Sequence, residues 1–313
     1  TQNPLKTWPT RVHYLIEGWL EKKLLLNASQ IIMNTPTARN NLLKKYPDRK
    51  ANVVHVISHG YDSERFHEFE EENTNEPGDS LVIGYIGGFY MEPEKDNNKQ
   101  VVKTILSSIK SYFQFSIMTK KQRKSSESSP EAIFKAIEEL SKENSELSKN
   151  IQFRFTGASP YQIFPLAKKY GISHQVELFQ KILPSKVNNE FQKCDILFLT
   201  NPRIENSPFI GAKTVEYLAS GKPVLAELPQ GDQARLLTKS GGGWYCKSGD
   251  VECLKEKLIE AFHAKKKRSL KKIKNAEYIK KFERKNQVND LAKVFNQSLN
   301  KTSSSAVISE VYL

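Results

Sequence analysis

DILFLTNPRIENSPFIGAKTVEYLASGKPVLAEL, residues 195–228, is the stretch that decides the fold. Residues 195–200 are continuously apolar after Asp195, without the period-two alternation of a strand that wets one face, so they read as a strand buried on both sides. A polar loop follows from Asn201 to Ser207, and a helix is predicted over 211–220. Gly221 stops that helix and Pro223 leads into a second apolar strand, 222–228. Strand, helix and strand in so short a span require a parallel crossover unit.

The same alternation extends outward. Strands are predicted at 151–157 and 175–179 and helices at 160–170 and 184–193. Upstream, LVIGYI (81–86) is a buried strand closed by Gly87 and Gly88, and Val101, Val102, Ile105, Leu106, Ile109, Tyr112 and Phe113 place a helix over 99–113. The serine- and lysine-rich 120–130 reads as an exposed insertion. Pro130 then opens an amphipathic helix carrying Ile133, Phe134, Ile137, Leu140 and Leu147. Apolar strands alternating with helices define an α/β class, a doubly wound parallel sheet.

A smaller unit precedes it: helix 11–25, strand ASQIIMNTP, helix 37–46 and strand VVHVI. One such unit is too short to complete a doubly wound domain, so it is expected to be the tail of a truncated one, and Thr1 in place of Met suits a fragment or a processed chain. The expected organisation is a partial lobe at 1–66, an acidic linker at 67–80, a complete lobe at 81–263, a basic helical region at 264–300 and a flexible tail at 301–313. In 251–263, Val251, Leu254, Leu258, Ile259 and Phe262 share a helix face.

With 313 residues, 38% apolar and 10% aromatic, the chain is neither disordered nor a repeat array. The 48 basic side chains outnumber the 35 acidic ones, a formal charge of +13. No apolar run approaches the ~20 residues of a membrane span, and no secretory leader is evident. Cys194, Cys246 and Cys253 have no paired metal-ligand spacing and are expected to be reduced thiols of a cytosolic protein. His13, His55, His59, His67, His174 and His263 are scattered without ligand spacing, and the sequons at Asn27, Asn296 and Asn300 are the kind that arise by chance.

In open α/β sheets ligands bind beyond the C-terminal ends of the strands. The loop after residue 200 lies there, and the backbone amides of 209–212, where a helix starts near Pro208–Gly211, suit an anion. Lys213 in the first helical turn adds a mobile cation, and Glu216, one turn on, suits the vicinal hydroxyls of a ribose. A surface ion pair between Lys213 and Glu216, with Gly221 as an ordinary helix stop, accounts for the same spacing.

GAKTVEYLASGKPVLA resembles the donor-binding segment of glycosyltransferase family four, whose GT-B fold joins two Rossmann-like lobes around a cleft. IIMNTP and HVISHGYDSERF resemble the end of the acceptor lobe and its linker. LVIGYIGGFY resembles the first strand and glycine turn of the donor lobe, and VELFQKILPSKVNNEFQKCDILFLTN the segment lining the nucleobase pocket; the likeness covers roughly residues 28–262. It implies transfer of a sugar from a UDP- or GDP-sugar to an acceptor hydroxyl with retention of configuration, without a metal, by front-face displacement in which the leaving diphosphate helps deprotonate the acceptor. Glycan, polysaccharide or glycolipid synthesis is the expected setting.

Carried onto this chain, the likeness assigns Glu216 to the ribose and Lys213 to the diphosphate. The backbone of Pro208, Phe209, Ile210 and Gly211 falls to phosphate and sugar, Gly87 and Gly88 to the glycine turn, and Phe179, Gln180, Lys181 and Ile182 to the base pocket. Two departures stand out. The family places a first Glu eight positions before the second; that position is Pro208 here, with Glu205 nearby. The family's Arg after the glycine turn is replaced by Gly88 and Phe89, leaving Lys95 as a substitute.

AKKKRSLKKIKNAEYIKKFERK, from Ala264 to Lys285, holds much of the positive charge. It reads as a solvated face packing on the first lobe, as a peripheral contact with anionic lipid at the inner face of a membrane, or, with no supporting motif, as a nucleic-acid contact. Two functions survive: a glycosyltransferase, and a non-catalytic nucleotide-sugar-binding subunit that needs a partner for its acceptor lobe.

Overall fold

The computed structural model describes residues 6–67, 79–89, 115–116, 128–270 and 274–310. In chain order its strands are β1 (Thr7–Trp8), β2 (Ile31–Met33), β3 (Val54–Val56), β4 (Leu81–Ile86), β5 (Phe115–Ser116), β6 (Ile151–Thr156), β7 (Val176–Phe179), β8 (Ile196–Thr200), β9 (Val224–Leu228) and β10 (Gly243–Lys247). Six of them form one sheet in the order β10-β9-β8-β4-β6-β7, every pair parallel.

Side chains along these strands alternate between two cores. Leu81, Ile83 and Tyr85 of β4, with Phe153 and Phe155 of β6 and Phe198 of β8, face helices Glu131–Glu143, Pro160–Lys169 and Val251–Lys266. Leu197, Leu199, Val224, Ala226 and Leu228 face helices Val187–Gln192, Ala212–Ala219 and Asp232–Ser240. Every residue of β8 and β9 is buried, which is why neither shows alternation in sequence. Gly84 admits close packing: a Cβ there would stand 2.3 Å from Cys194 Sγ.

The strand order turns at β4, with β6 and β7 on one side and β8, β9 and β10 on the other. A crevice therefore opens beyond the C-terminal ends of β4 and its neighbours. Neither helix Asp232–Ser240 nor β10 carried a sequence signal. Helix Asp232–Ser240 follows β9, and β10 begins at Gly243, where a Cβ would collide with the Val224 carbonyl oxygen at 1.9 Å.

The first unit is the parallel pair β2–β3 with helices Arg11–Asn27 and Pro36–Lys45, around its own core of Ile31, Leu42, Tyr46, Val53 and Val54. It docks on the larger sheet at defined points. Thr35 Oγ1 donates to the Pro208 carbonyl at 2.7 Å, and the Thr37 amide donates to Asp232 Oδ2 at 3.0 Å. Tyr61 and Arg284 tie the interlobe segment to the C-terminal helix, Tyr61 N donating to Phe282 O and Arg284 N to Tyr61 O.

Three expectations change. The basic region is not one helix, since helix Val251–Lys266 ends at Lys267, a short helix spans Ala276–Lys280, and the last runs from Arg284 to Glu310. That last helix carries through 301–310, where a flexible tail was expected. Cys246 and Cys253 are joined by a disulfide, leaving Cys194 as the free, buried thiol. The reduced-thiol expectation failed because seven residues of sequence separation hide a Cα–Cα distance of 5.7 Å, produced when β10 folds back into the following helix. The helix expected over 99–113, nearly all of the 67–80 linker and most of the 120–130 insertion lie outside the described residues.

Candidate functional site

A cleft of about 410 Å³ lies at the turn in strand order. Its floor is the succession of turns leaving the strands: Gly87 and Gly88 after β4, Thr156 and Gly157 at the end of β6, Lys181 and Ile182 after β7. The turns are laced together, Gly87 N donating to Thr156 O and Gly157 N to Phe179 O. Gly87 has φ +114° and Gly157 φ +82°, conformations that favour glycine. The opposite wall comes from the interlobe segment, with Asp62, Arg65 and Phe66, and from Pro184, Val187 and Asn188. Glu216 closes one end.

Helix Ala212–Ala219 brings Glu216 to this cleft and Lys213 behind its Gly87 turn. Lys213 Nζ lies 3.9 Å above the Tyr85 ring and would stand 3.1 Å from a Cβ at Gly87. Burial lowers its pKa to about 8, against the opposing pull of Glu216. Among the described residues no oxygen hydrogen-bonds this ammonium, which faces the Tyr85 ring beside the glycine turn. Burial raises the Glu216 pKa, while Arg65, Arg284 and Lys213 oppose that rise. Arg65 and Arg284 both approach Asp62, at 3.6 and 3.8 Å. The cleft lining holds Arg65 and Lys181 against Asp62 and Glu216, and Lys213 and Arg284 add positive charge beside Glu216, a field suited to an anion.

Of the residues expected from sequence, Gly87, Gly88, Lys181, Ile182 and Glu216 line the cleft, and Lys213 stands behind Gly87. The others do not line it. Phe179 lies against the Arg154 guanidinium, 3.7 Å from its ring centroid, and Gln180 is exposed. Pro208 is buried with its carbonyl given to Thr35, Ile210 is in the core, and Phe209 is partly buried away from the cleft lining. The Gly211 amide donates to Gln233 Oε1 at 3.4 Å, so the helix-start cradle is partly filled by a side chain. Glu205 is exposed and reaches Lys247 at 4.0 Å. Lys95 lies outside the described residues.

Asp62, Arg65 and Asn188, which line the cleft, and Arg284, whose charge acts on Glu216, were not singled out: Asp62, Arg65 and Arg284 come from elements remote in sequence, and Asn188 from within the segment assigned to the base pocket. Gly157 had a signal, since it ends an apolar run as Gly87 does. Among the described residues no three His, Cys, Asp or Glu side chains gather to hold a metal, and no helix is long and apolar enough to cross a membrane.

Comparison with known proteins places these features. The chain is 33% identical over 67 residues to alpha-maltose-1-phosphate synthase of Mycobacterium tuberculosis, a match covering 20% of this chain and 17% of that protein. Its fold is similar to that of sucrose-phosphate synthase from Thermosynechococcus elongatus, with a TM-score of 0.61 at 14% identity, covering 90% of this chain. It is also similar to Anabaena HepE in complex with UDP-glucose, with a TM-score of 0.53 at 13% identity, covering 97% of this chain and 71% of that one. At these identities the likeness concerns the fold, which is GT-B. The chain spans 61% of the length of the sucrose-phosphate synthase. The model of the family described as glycosyl transferases group 1 matches residues 115–285, more than half the chain and the part that supplies Lys181, Lys213 and Glu216, and the chain therefore belongs to that family.

Proposed function

We propose that this chain binds a nucleotide-sugar, with the diphosphate between Lys213 and the Gly87–Gly88 turn, and transfers the sugar to an acceptor hydroxyl with retention of configuration. The observation that carries the proposal is the Lys213 ammonium, half-buried, without a hydrogen-bond acceptor among the described residues, and set beside the glycine turn. A charge so placed is costly unless an anion completes it. Glu216, one helical turn away, takes the ribose hydroxyls. Lys181, Ile182 and Asn188 stand around the base, and the Anabaena structure with UDP-glucose supports a uridine donor.

In this reading the departing diphosphate is stabilised by Lys213 and by the Arg65 side, the Gly87 and Gly157 amides being given to Thr156 and Phe179. One of its oxygens takes the acceptor proton on the face it leaves, so no protein nucleophile is required. Pro208, in the position of the family's first Glu, brings no carboxylate to the sugar. Calorimetry with UDP-glucose and GDP-mannose tests binding. Glu216→Ala and Lys213→Met should each weaken the bound nucleotide-sugar at least about tenfold, and unchanged affinity in both refutes the assignment. Proton NMR of the product's anomeric coupling tests retention.

A second reading is a non-catalytic nucleotide-sugar-binding subunit. It is favoured by Pro208, which stands in the position of the family's first Glu and whose carbonyl is engaged by Thr35. Nucleotide-sugar binding without release of free UDP or GDP across a panel of sugar and lipid-linked acceptors would select it. The membrane contact through 265–285 stays part of the proposal although Lys265 and Lys266 pair with Asp195 and Asp79. Equal flotation with neutral and anionic liposomes rejects it.

A further inference from the structure

Lys213 and the Gly87–Gly88 turn belong to different elements, and one side chain touches both. The Tyr85 ring lies 3.9 Å from Lys213 Nζ, and the Tyr85 hydroxyl donates to the Gly88 carbonyl at 2.9 Å. The ring also stacks on Phe89, with centroids 4.0 Å apart and planes 7° from parallel. A stacked ring and an ammonium at such distances cannot occupy the same face, so Tyr85 is held between Lys213 and Phe89. Phe155 and Phe198 close around it at 6.0 and 6.4 Å, and Tyr85 is 2% exposed.

We infer that Tyr85 is a positioning residue for the diphosphate site, its ring setting where the Lys213 ammonium stands and its hydroxyl setting the turn that faces the same anion. The inference rests on the proposed reading of the cleft. A lysine ammonium ends a flexible four-carbon stem, and burial alone leaves it several rotamers. The electron-rich ring face selects the one that points beside Gly87. The hydroxyl acts on the other partner, because Gly87, at φ +114°, has no side chain of its own to define the turn. The charged groups around Lys213 are Glu216 on its own helix and, beyond Glu216, Arg65 of the interlobe segment and Arg284 of the C-terminal helix.

The test is calorimetric titration of the unaltered protein, Tyr85→Phe and Tyr85→Leu with UDP and with uridine, and in parallel with GDP and guanosine, between pH 6.5 and 9.5. Tyr85→Phe keeps the ring and should weaken the diphosphate about threefold to tenfold with its pH profile in place. Tyr85→Leu should weaken it about tenfold or more and move the alkaline fall in affinity to lower pH. Nucleoside affinity should be unchanged in both. Equal weakening of nucleoside and diphosphate, or an unchanged ratio of the two, overturns the inference; should Tyr85→Leu fail to fold, the ratio in Tyr85→Phe decides alone. An unaltered protein that binds neither diphosphate overturns the reading of the cleft, and Tyr85's role with it. Binding by the unaltered protein that both variants retain in full overturns only the role of Tyr85.

Discussion

Replacing Gly87 by alanine probes backbone and site together. At φ +114° an L-residue is strained, and the cost of a left-handed conformation is about 1–2 kcal/mol. The new Cβ would meet Lys213 Nζ at 3.1 Å and Cε at 3.3 Å. Those atoms end a flexible side chain, so the fold survives, but the ammonium is pushed from the Tyr85 face and from the anion it is proposed to meet. For a chain of this size, 1–2 kcal/mol lowers the melting temperature by about 2–8 °C. Loss of one charge-assisted hydrogen bond, worth about 1.5–3 kcal/mol, weakens the diphosphate by roughly tenfold to a hundredfold. Circular dichroism melts and calorimetry with the diphosphate measure the two effects separately. An unchanged melting temperature refutes the backbone argument; a lowered one with full affinity refutes the placement of the diphosphate beside Gly87.

Four further outcomes are expected. Because burial lowers the Lys213 pKa to about 8, diphosphate affinity should fall as pH rises through 8, and Lys213→Met should abolish that limb. The unfolded chain holds this proton up to the ordinary 10.5, so between pH 8 and 10.5 it binds more protons than the folded one, and the free protein gains stability from this group as pH rises; a melting series in which the Lys213→Met difference is flat over that window refutes the burial argument. Lys265 Nζ meets Asp195 Oδ2 at 2.6 Å and the Ser80 carbonyl at 2.5 Å, and Asp195 also accepts from Val82 N at the start of β4. Lys265→Met should therefore cost about 3 kcal/mol in urea unfolding, with a loss below 1 kcal/mol showing the pair to be incidental. Dithiothreitol should lower the melting temperature by about 4–8 °C, the effect of opening a short disulfide loop worth ~2 kcal/mol, and should leave Cys246→Ser/Cys253→Ser unaffected; an unresponsive wild-type melt refutes the disulfide.

β4, β8 and β9 were legible in the sequence because a strand buried on both faces is apolar at nearly every position, and β6 and β7, which carry Gln152, Arg154 and Glu177, were marked by strand-forming residues between predicted helices. β10 was not, since the glycines before it read as a loop and only the neighbouring Val224 carbonyl shows why Gly243 must be there. Gly87 and Glu216 were found from local pattern: a glycine ending an apolar run, and an acid one turn into a helix. Pro208–Gly211 were placed by the same logic, yet Thr35 and Gln233, remote in sequence, occupy the Pro208 carbonyl and the Gly211 amide. Arg65 and Arg284 illustrate the converse, two charges at opposite ends of the chain that act on one carboxylate.

By itself the sequence determined the alternation of strand and helix, the parallel sheet it implies and the likeness of its donor-side segments, because hydrophobic period and helix stops are properties of neighbours along the chain. Only the tertiary structure decided that β4 lies between β6 and β8, and hence that Lys213 rests on Tyr85 beside Gly87. Electrostatics and hydrogen bonding act over a few ångströms of space whatever the sequence separation, so the pKa of Lys213, the cations around Glu216 and the Cys246–Cys253 bond exist only once the chain has closed on itself.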